Sequence, residues 1–105
     1  MDHLPQSTLT QLQAYVAEVE LRRGFASESI QDKCLLLTEE VGELCKAIRK
    51  HHTSIKMAND AKPQNVAEEL ADVLMYVLAI ANKTGINLAE ALVEKETKNE
   101  QRKWA

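Results

Sequence analysis

Two short acidic stretches carry residue types at a spacing that could do chemistry. They are Glu39-Glu40-Val41-Gly42-Glu43 and Glu68-Glu69-Leu70-Ala71-Asp72. On a helix, Glu40 and Glu43 stand one turn apart on one face, about 60° from each other, and Glu69 and Asp72 repeat that relation. The second pair opens a run from Leu70 to Ala81 whose only charged residue is Asp72. A carboxylate in such a run is costly to bury without a cation. Along their own faces the pairs are flanked by Leu36 and Ala47, and by Tyr76 and Ala79. Solvated salt-bridge faces carry Lys or Arg at i+4 instead. Lys46 near Glu43 keeps an ordinary solvated face open for the first pair. A lone Glu-x-x-Glu says little, but two such pairs on helices joined by one loop say more. Four carboxylates converging from two helices would hold Mg²⁺ or Mn²⁺, which points to chemistry on phosphates.

The ligand types narrow the metal. Oxygen-only donors favour Mg²⁺, Mn²⁺ or Ca²⁺ over zinc or copper. A di-iron site would want Glu-x-x-His, and neither motif has a His three positions on. His51 and His52 match the C-terminal dipole of their helix instead. Basic residues at the rim would complete a phosphate site. Lys95, Asn99 and Arg102 fall on one face at i, i+4 and i+7, although a solvated terminal helix would carry the same residues.

Four helices are expected to position these groups, and no strand. The first runs from about Thr8 to Arg23, capped by Ser7, with Leu9, Leu12, Val16 and Val19 at helical spacing and Gly24 as its stop. The second runs from about Ile30 to His51, capped by Ser27 or Ser29, with an apolar stripe of Cys34, Leu37, Val41, Leu44, Cys45 and Ile48. Thr53 to Lys62 reads as the longest loop, polar and mobile. Pro63 suits the entry to a third helix, which ends near Thr84 before Gly85. Asn87 and Glu90 fit a capping box for the fourth. Between Leu70 and Ala81 the third helix is apolar on nearly every side, so it is central in a bundle or packs against another subunit. The fold class is therefore all-α, a four-helix bundle that oligomerises, most simply as a symmetric dimer.

Composition agrees. The chain has 105 residues, three Gly and two Pro, a net charge of −3 and two cysteines. Its length suits a single domain spanning 1–105. The mild negative charge argues against a nucleic-acid polymer as partner. No apolar run is long enough to span a membrane, and the first residues do not read as a signal peptide. Cys34 and Cys45 lie eleven positions apart on one helix, about 16 Å, too far for a disulfide. A reduced cytoplasmic protein is expected.

The combined motif resembles the MazG-type all-α nucleoside triphosphate pyrophosphohydrolases. The resemblance rests on Leu35-Leu36-Leu37-Thr38-Glu39-Glu40-Val41-Gly42-Glu43-Leu44, on Glu68-Glu69-Leu70-Ala71-Asp72-Val73-Leu74-Met75-Tyr76, and on Leu88-Ala89-Glu90-Ala91 with Lys95 and Asn99. It covers roughly residues 23–104, and the short single-domain members, including those acting on dCTP, look most similar. The resemblance implies Mg²⁺-dependent hydrolysis of a nucleoside triphosphate to monophosphate and pyrophosphate, as house-cleaning of dNTP pools, with Mn²⁺ as a possible substitute. Carried over residue by residue, Glu40, Glu43, Glu69 and Asp72 would be metal ligands. Glu39 and Glu68 would be assisting carboxylates that help orient the attacking water. Lys33, Lys95, Asn99 and Arg102 would contact phosphates, and Tyr76 would line the sugar or base pocket. A homodimer or homotetramer is implied, with sites completed by a neighbouring subunit. Relatives often place a Trp after the first helix in an Arg-x-Trp pattern. Here Arg23-Gly24-Phe25 stands there, making Phe25 the candidate for base stacking. Some relatives also carry an aromatic at the end of the second helix, where this chain has Lys50-His51-His52. With four aromatic residues in all, an extensive stacking cage is excluded. Two other readings stand beside this one: phosphoribosyl-ATP pyrophosphatase, which uses a similar acidic helical motif, and a non-catalytic helical dimerisation or regulatory module.

Overall fold

The computed structural model describes residues 1–56 and 65–104. Among the described residues every regular element is helical: a short 3₁₀ turn at Leu4–Gln6, then α1 (Leu9–Arg23), α2 (Ile30–His52), α3 (Val66–Thr84) and α4 (Leu88–Glu100). The all-α class with four α-helices is as expected. Most of the loop expected at Thr53–Lys62, and the helix entry expected at Pro63, lie outside the described residues.

Local chemistry sets the helix ends. The cap of α1 is Thr8, one residue later than expected. Thr8 accepts the Gln11 amide through its side chain, and the Gln11 side chain accepts the Thr8 amide in return. Ser7 has Thr10 three residues on, which cannot return that bond, and its hydroxyl donates to the His3 carbonyl. Ser29 and Asp32 form the same reciprocal box at the start of α2. The hydrogen bonds from Ser29 hold the Asp32 carboxyl below its usual pKa. Asn65 accepts the Glu68 amide through its side chain and the Glu69 amide through its carbonyl at the start of α3. Asn87 accepts the Glu90 amide as α4 begins. Gly24 and Gly85 close α1 and α3 at φ 81° and 69°, a region L side chains avoid.

The chain divides into two compact units, Met1–Ser27 with Leu78–Ala105, and Glu28–Val77. In the first, α1 packs on α4. Its buried apolar residues are Val16, Val19, Leu78, Ala79 and Ala81. Gln13 is buried with them. Its amide donates to Asn82 Oδ1 and to the Ile86 carbonyl, its oxygen accepts the Leu88 amide, and Asn82 donates back to the Gln13 carbonyl.

In the second unit the apolar stripe expected for α2 holds only in part: Leu37 and Leu44 are half-buried, while Cys34, Val41, Cys45 and Ile48 are exposed. The face withdrawn from solvent is Lys33, Leu36, Leu37, Glu40, Glu43, Leu44 and Ala47, with Lys33 and Ala47 fully buried. The helix turns its charged face inward and leaves large apolar side chains outside. Leu70 and Leu74 on α3 are likewise exposed. Both cysteines are free thiols.

Candidate active site

Helix α2 supplies Glu40 and helix α3 supplies Glu69 and Asp72. One carboxylate oxygen from each lies within 4.8 Å of the other two. Glu40 and Glu69 are half-buried and Asp72 is exposed, so the group opens to solvent on one side. Like charges at this separation cannot all persist without compensation. The Glu40 carboxyl is accordingly pushed up to about 7, first by burial, then by a hydrogen bond shared with Glu69 and by the charges of Asp72, Glu69 and Glu39. Glu69 Oε2 is buried and has no hydrogen-bond partner among the described residues. A buried carboxylate oxygen without a donor is rare in a folded protein, because its desolvation goes unrepaid. An orphaned oxygen, a proton held at near-neutral pH and an all-oxygen donor set fit a hard divalent cation.

The other acidic residues stand around this group. Glu43 is half-buried one turn further along α2, outside the three-residue cluster. Glu39 and Glu68 are exposed, each directly preceding a member of the cluster. Tyr76, one turn beyond Asp72, is half-buried. Burial, and then the Glu40 charge, push its hydroxyl above the usual tyrosine pKa, with Lys33 acting in the opposite sense. Lys33 is 2% exposed. Its Nζ donates to Glu28 Oε1 at 2.8 Å and lies 5.8 Å from the centre of the Tyr76 ring. The Glu28 partner carries no signal in the sequence, because it precedes the helix cap and lies five residues from Lys33, outside helical spacing. The seven-residue step from Lys33 to Glu40 did put both on one face of α2.

Residues 28–104 match the model of the MazG nucleotide pyrophosphohydrolase domain. The chain belongs to this family. Two solved structures of iMazG from Vibrio DAT 722 are similar to this MazG chain over nearly its whole length. The N-terminally tagged form is 36% identical, with 94% of this chain and 100% of that one covered at a TM-score of 0.70. The C-terminally tagged form is 38% identical, covering 90% and 99% at 0.69. No curated protein matches significantly. The MazG chain is thus a nucleoside triphosphate pyrophosphohydrolase, and the family's use of a divalent metal agrees with the Glu40, Glu69 and Asp72 cluster.

The remaining candidates of this MazG chain belong to the other unit. Phe25 is about half exposed, and its amide donates to the Glu20 carbonyl just after the left-handed Gly24. Lys95 is exposed on α4. Asn99 donates to Glu96 Oε1, while its carbonyl accepts the Trp104 indole. The Arg102 guanidinium lies over the Trp104 ring, 5.9 Å from its centre. No described helix is long and apolar enough to cross a membrane.

Proposed function

We propose that this MazG chain hydrolyses deoxynucleoside triphosphates, dCTP among them, to monophosphate and pyrophosphate with Mg²⁺, and that Mn²⁺ can replace it. The observation that carries the metal is the convergence of Glu40, Glu69 and Asp72, with one Glu69 oxygen buried and without a donor. Glu40, Glu69 and Asp72 hold the cation, and Glu43 on the same helix face completes the set. Bound there, Mg²⁺ supplies neutralisation of polyphosphate charge and Lewis acidity. The chain supplies the rest. Glu39 or Glu68, exposed beside the ligands, orients the attacking water and accepts its proton. Tyr76 lines the nucleoside pocket and Phe25 stacks on the base. Lys95, Asn99 and Arg102 bind the triphosphate.

We take residues 1–105 as one catalytic domain acting in a cytoplasmic homodimer or homotetramer. Support for assembly comes from the apolar side chains left outside: Leu35 is 71% exposed, and Val41, Ile48, Leu70 and Leu74 each 40–53%. Val41 and Ile48 share one face of α2, and Leu70 and Leu74 one face of α3, so each helix offers an apolar pair to a neighbouring subunit.

The test is a product assay over the common dNTPs and NTPs and phosphoribosyl-ATP, with Mg²⁺ or with EDTA. Metal-dependent monophosphate and pyrophosphate from one or a few dNTPs is expected. Turnover in EDTA removes the metal, and preference for phosphoribosyl-ATP removes the substrate class. Lys95→Ala should raise KM about tenfold, the loss of one charged hydrogen bond. An unchanged KM takes Lys95 out of the site.

A further inference from the structure

Lys33 presents a different problem from the phosphate-binding lysine implied by the family resemblance. Its ammonium is buried, and Glu28 Oε1 holds it at 2.8 Å. The cation is buried, while the Glu28 side chain is about a third exposed, at 32%. Burying a charge in a pair is poor value for stability alone, since apolar residues of similar size often serve as well. Here Lys33 stands two turns before Glu40 on the inward face of α2, and Tyr76 stands one turn after Asp72 on α3. The two side chains meet, with Nζ 5.8 Å from the ring centre. The cation over the ring fixes where the phenol sits, and Glu28 fixes the cation.

We propose that the Glu28–Lys33 pair is a positioning device that holds the Tyr76 ring in place to receive the nucleoside part of the substrate. Lys33 acts through Tyr76 and does not touch phosphate. This rests on the pyrophosphohydrolase reading for its substrate and on the Lys33–Tyr76 contact for its geometry. It separates two affinities that a phosphate-binding lysine would move together. Loss of Lys33 weakens nucleoside recognition and spares the polyphosphate.

The experiment uses Lys33→Met, Lys33→Arg, Glu28→Gln and Tyr76→Ala, alone and as the pair Lys33→Met/Tyr76→Ala. Kinetics on the best nucleotide are set beside inhibition by inorganic tripolyphosphate. Lys33→Met should raise KM about tenfold with kcat within about threefold, the scale of a desolvated cation–π contact. The tripolyphosphate inhibition constant should hold, Lys33→Arg should recover part of the KM, and the Lys33→Met effect should vanish in the Tyr76→Ala background. Glu28→Gln keeps the side chain's shape and should give a smaller rise of the same kind, which serves if Lys33→Met does not fold. A tripolyphosphate constant that weakens in step with KM would show a direct phosphate contact and overturn the proposal, as would additive effects in the double variant.

A second readout needs no turnover. The chain has two tyrosines, Tyr15 and Tyr76, so ring resonances can be assigned by one Tyr76→Phe variant. Lys33→Met, or Glu28→Gln in its place, should move the Tyr76 ring signals and leave those of Tyr15. Unmoved Tyr76 signals overturn the positioning role. A wild-type protein that turns over no nucleotide defeats the pyrophosphohydrolase reading, while the ring signals still decide the contact.

Discussion

The two units of the chain treat a buried polar side chain in opposite ways. In the unit built from Met1–Ser27 and Leu78–Ala105, the buried Gln13 amide is satisfied at both ends, by Asn82, Ile86 and Leu88. In the unit Glu28–Val77, Glu69 Oε2 is buried without a donor and Glu40 is pushed up to about 7 by its neighbours. The first arrangement is what a fold does with a polar group it needs for structure, since each buried donor and acceptor finds a partner. The second leaves like charges close together, an arrangement that a bound cation would offset. Where a small domain leaves a polar group unsatisfied, it has given up stability for a site.

The sharpest break between the two is a pair of substitutions. Glu69→Gln keeps the shape and removes the charge. It should lower kcat by about a thousandfold or more, the scale of losing a metal ligand that stabilises phosphoryl charge. The metal-free melting temperature should hold or rise, because repulsion inside the cluster falls. Asp72→Asn should behave alike. Full activity in either variant would remove the cluster from the chemistry. Gln13→Ala should do the reverse. It strands the Leu88 amide, the Ile86 carbonyl and Asn82 Oδ1 together, at about 2–4 kcal/mol. The melting temperature should fall by roughly 10–20 °C. The folded fraction should keep its kcat. A mild Gln13→Ala and a strongly destabilised Glu69→Gln would reverse the contrast.

How far the sequence reveals this depends on the range of the physics involved. Helix ends are local, so Ser29, Gly24, Gly85 and Asn87 are readable from short patterns. Thr8 wins over Ser7 only because Gln11 stands three residues on, a detail of the same local kind. The meeting of Glu40 with Glu69 and Asp72 is legible because two acidic pairs at helical spacing, one opening an apolar run, stand on helices joined by one loop, where either pair alone would say little. The inward face of α2 is legible only in part. Hydrophobic periodicity finds Leu37 and Leu44, but Lys33, Glu40 and Glu43 turn in beside them and Val41 and Ile48 turn out. Where a site occupies core positions and a second apolar face is left outside, periodicity alone sets the face off by part of a turn. Gln13 gave no signal at all, because a glutamine in a helix is ordinary until Asn82 and the backbone at Ile86 and Leu88 reach it.

The gentlest probe of the contrast is pH. Glu40 holds its proton with a pKa of about 7 in the fold, against 4.5 for an ordinary glutamate. Between those values the metal-free native state binds more protons than the unfolded chain, so stability falls as pH rises. The contribution is fully present below about 4.5 and lost by the time pH passes 7. Unscreened, the shift would be worth about 3 kcal/mol, and solvent around this part-exposed carboxyl cuts it to on the order of 2 kcal/mol. Glu40→Gln copies the protonated form and removes the titration. The measurement is therefore the melting temperature of the wild type minus that of Glu40→Gln, from about pH 5 to about pH 8, in EDTA. That difference should decline across the window. At the proposed metal site Mg²⁺ would compete with the proton for the same oxygens, so the stabilisation it gives the wild type should grow over the same range and be weak in Glu40→Gln. Gln13→Ala, tested alongside, should shift the whole curve down without changing its slope, because an amide does not titrate. Parallel wild-type and Glu40→Gln curves in EDTA would mean that the cluster carries its charges without strain, and the difference between the two units would then be one of composition alone.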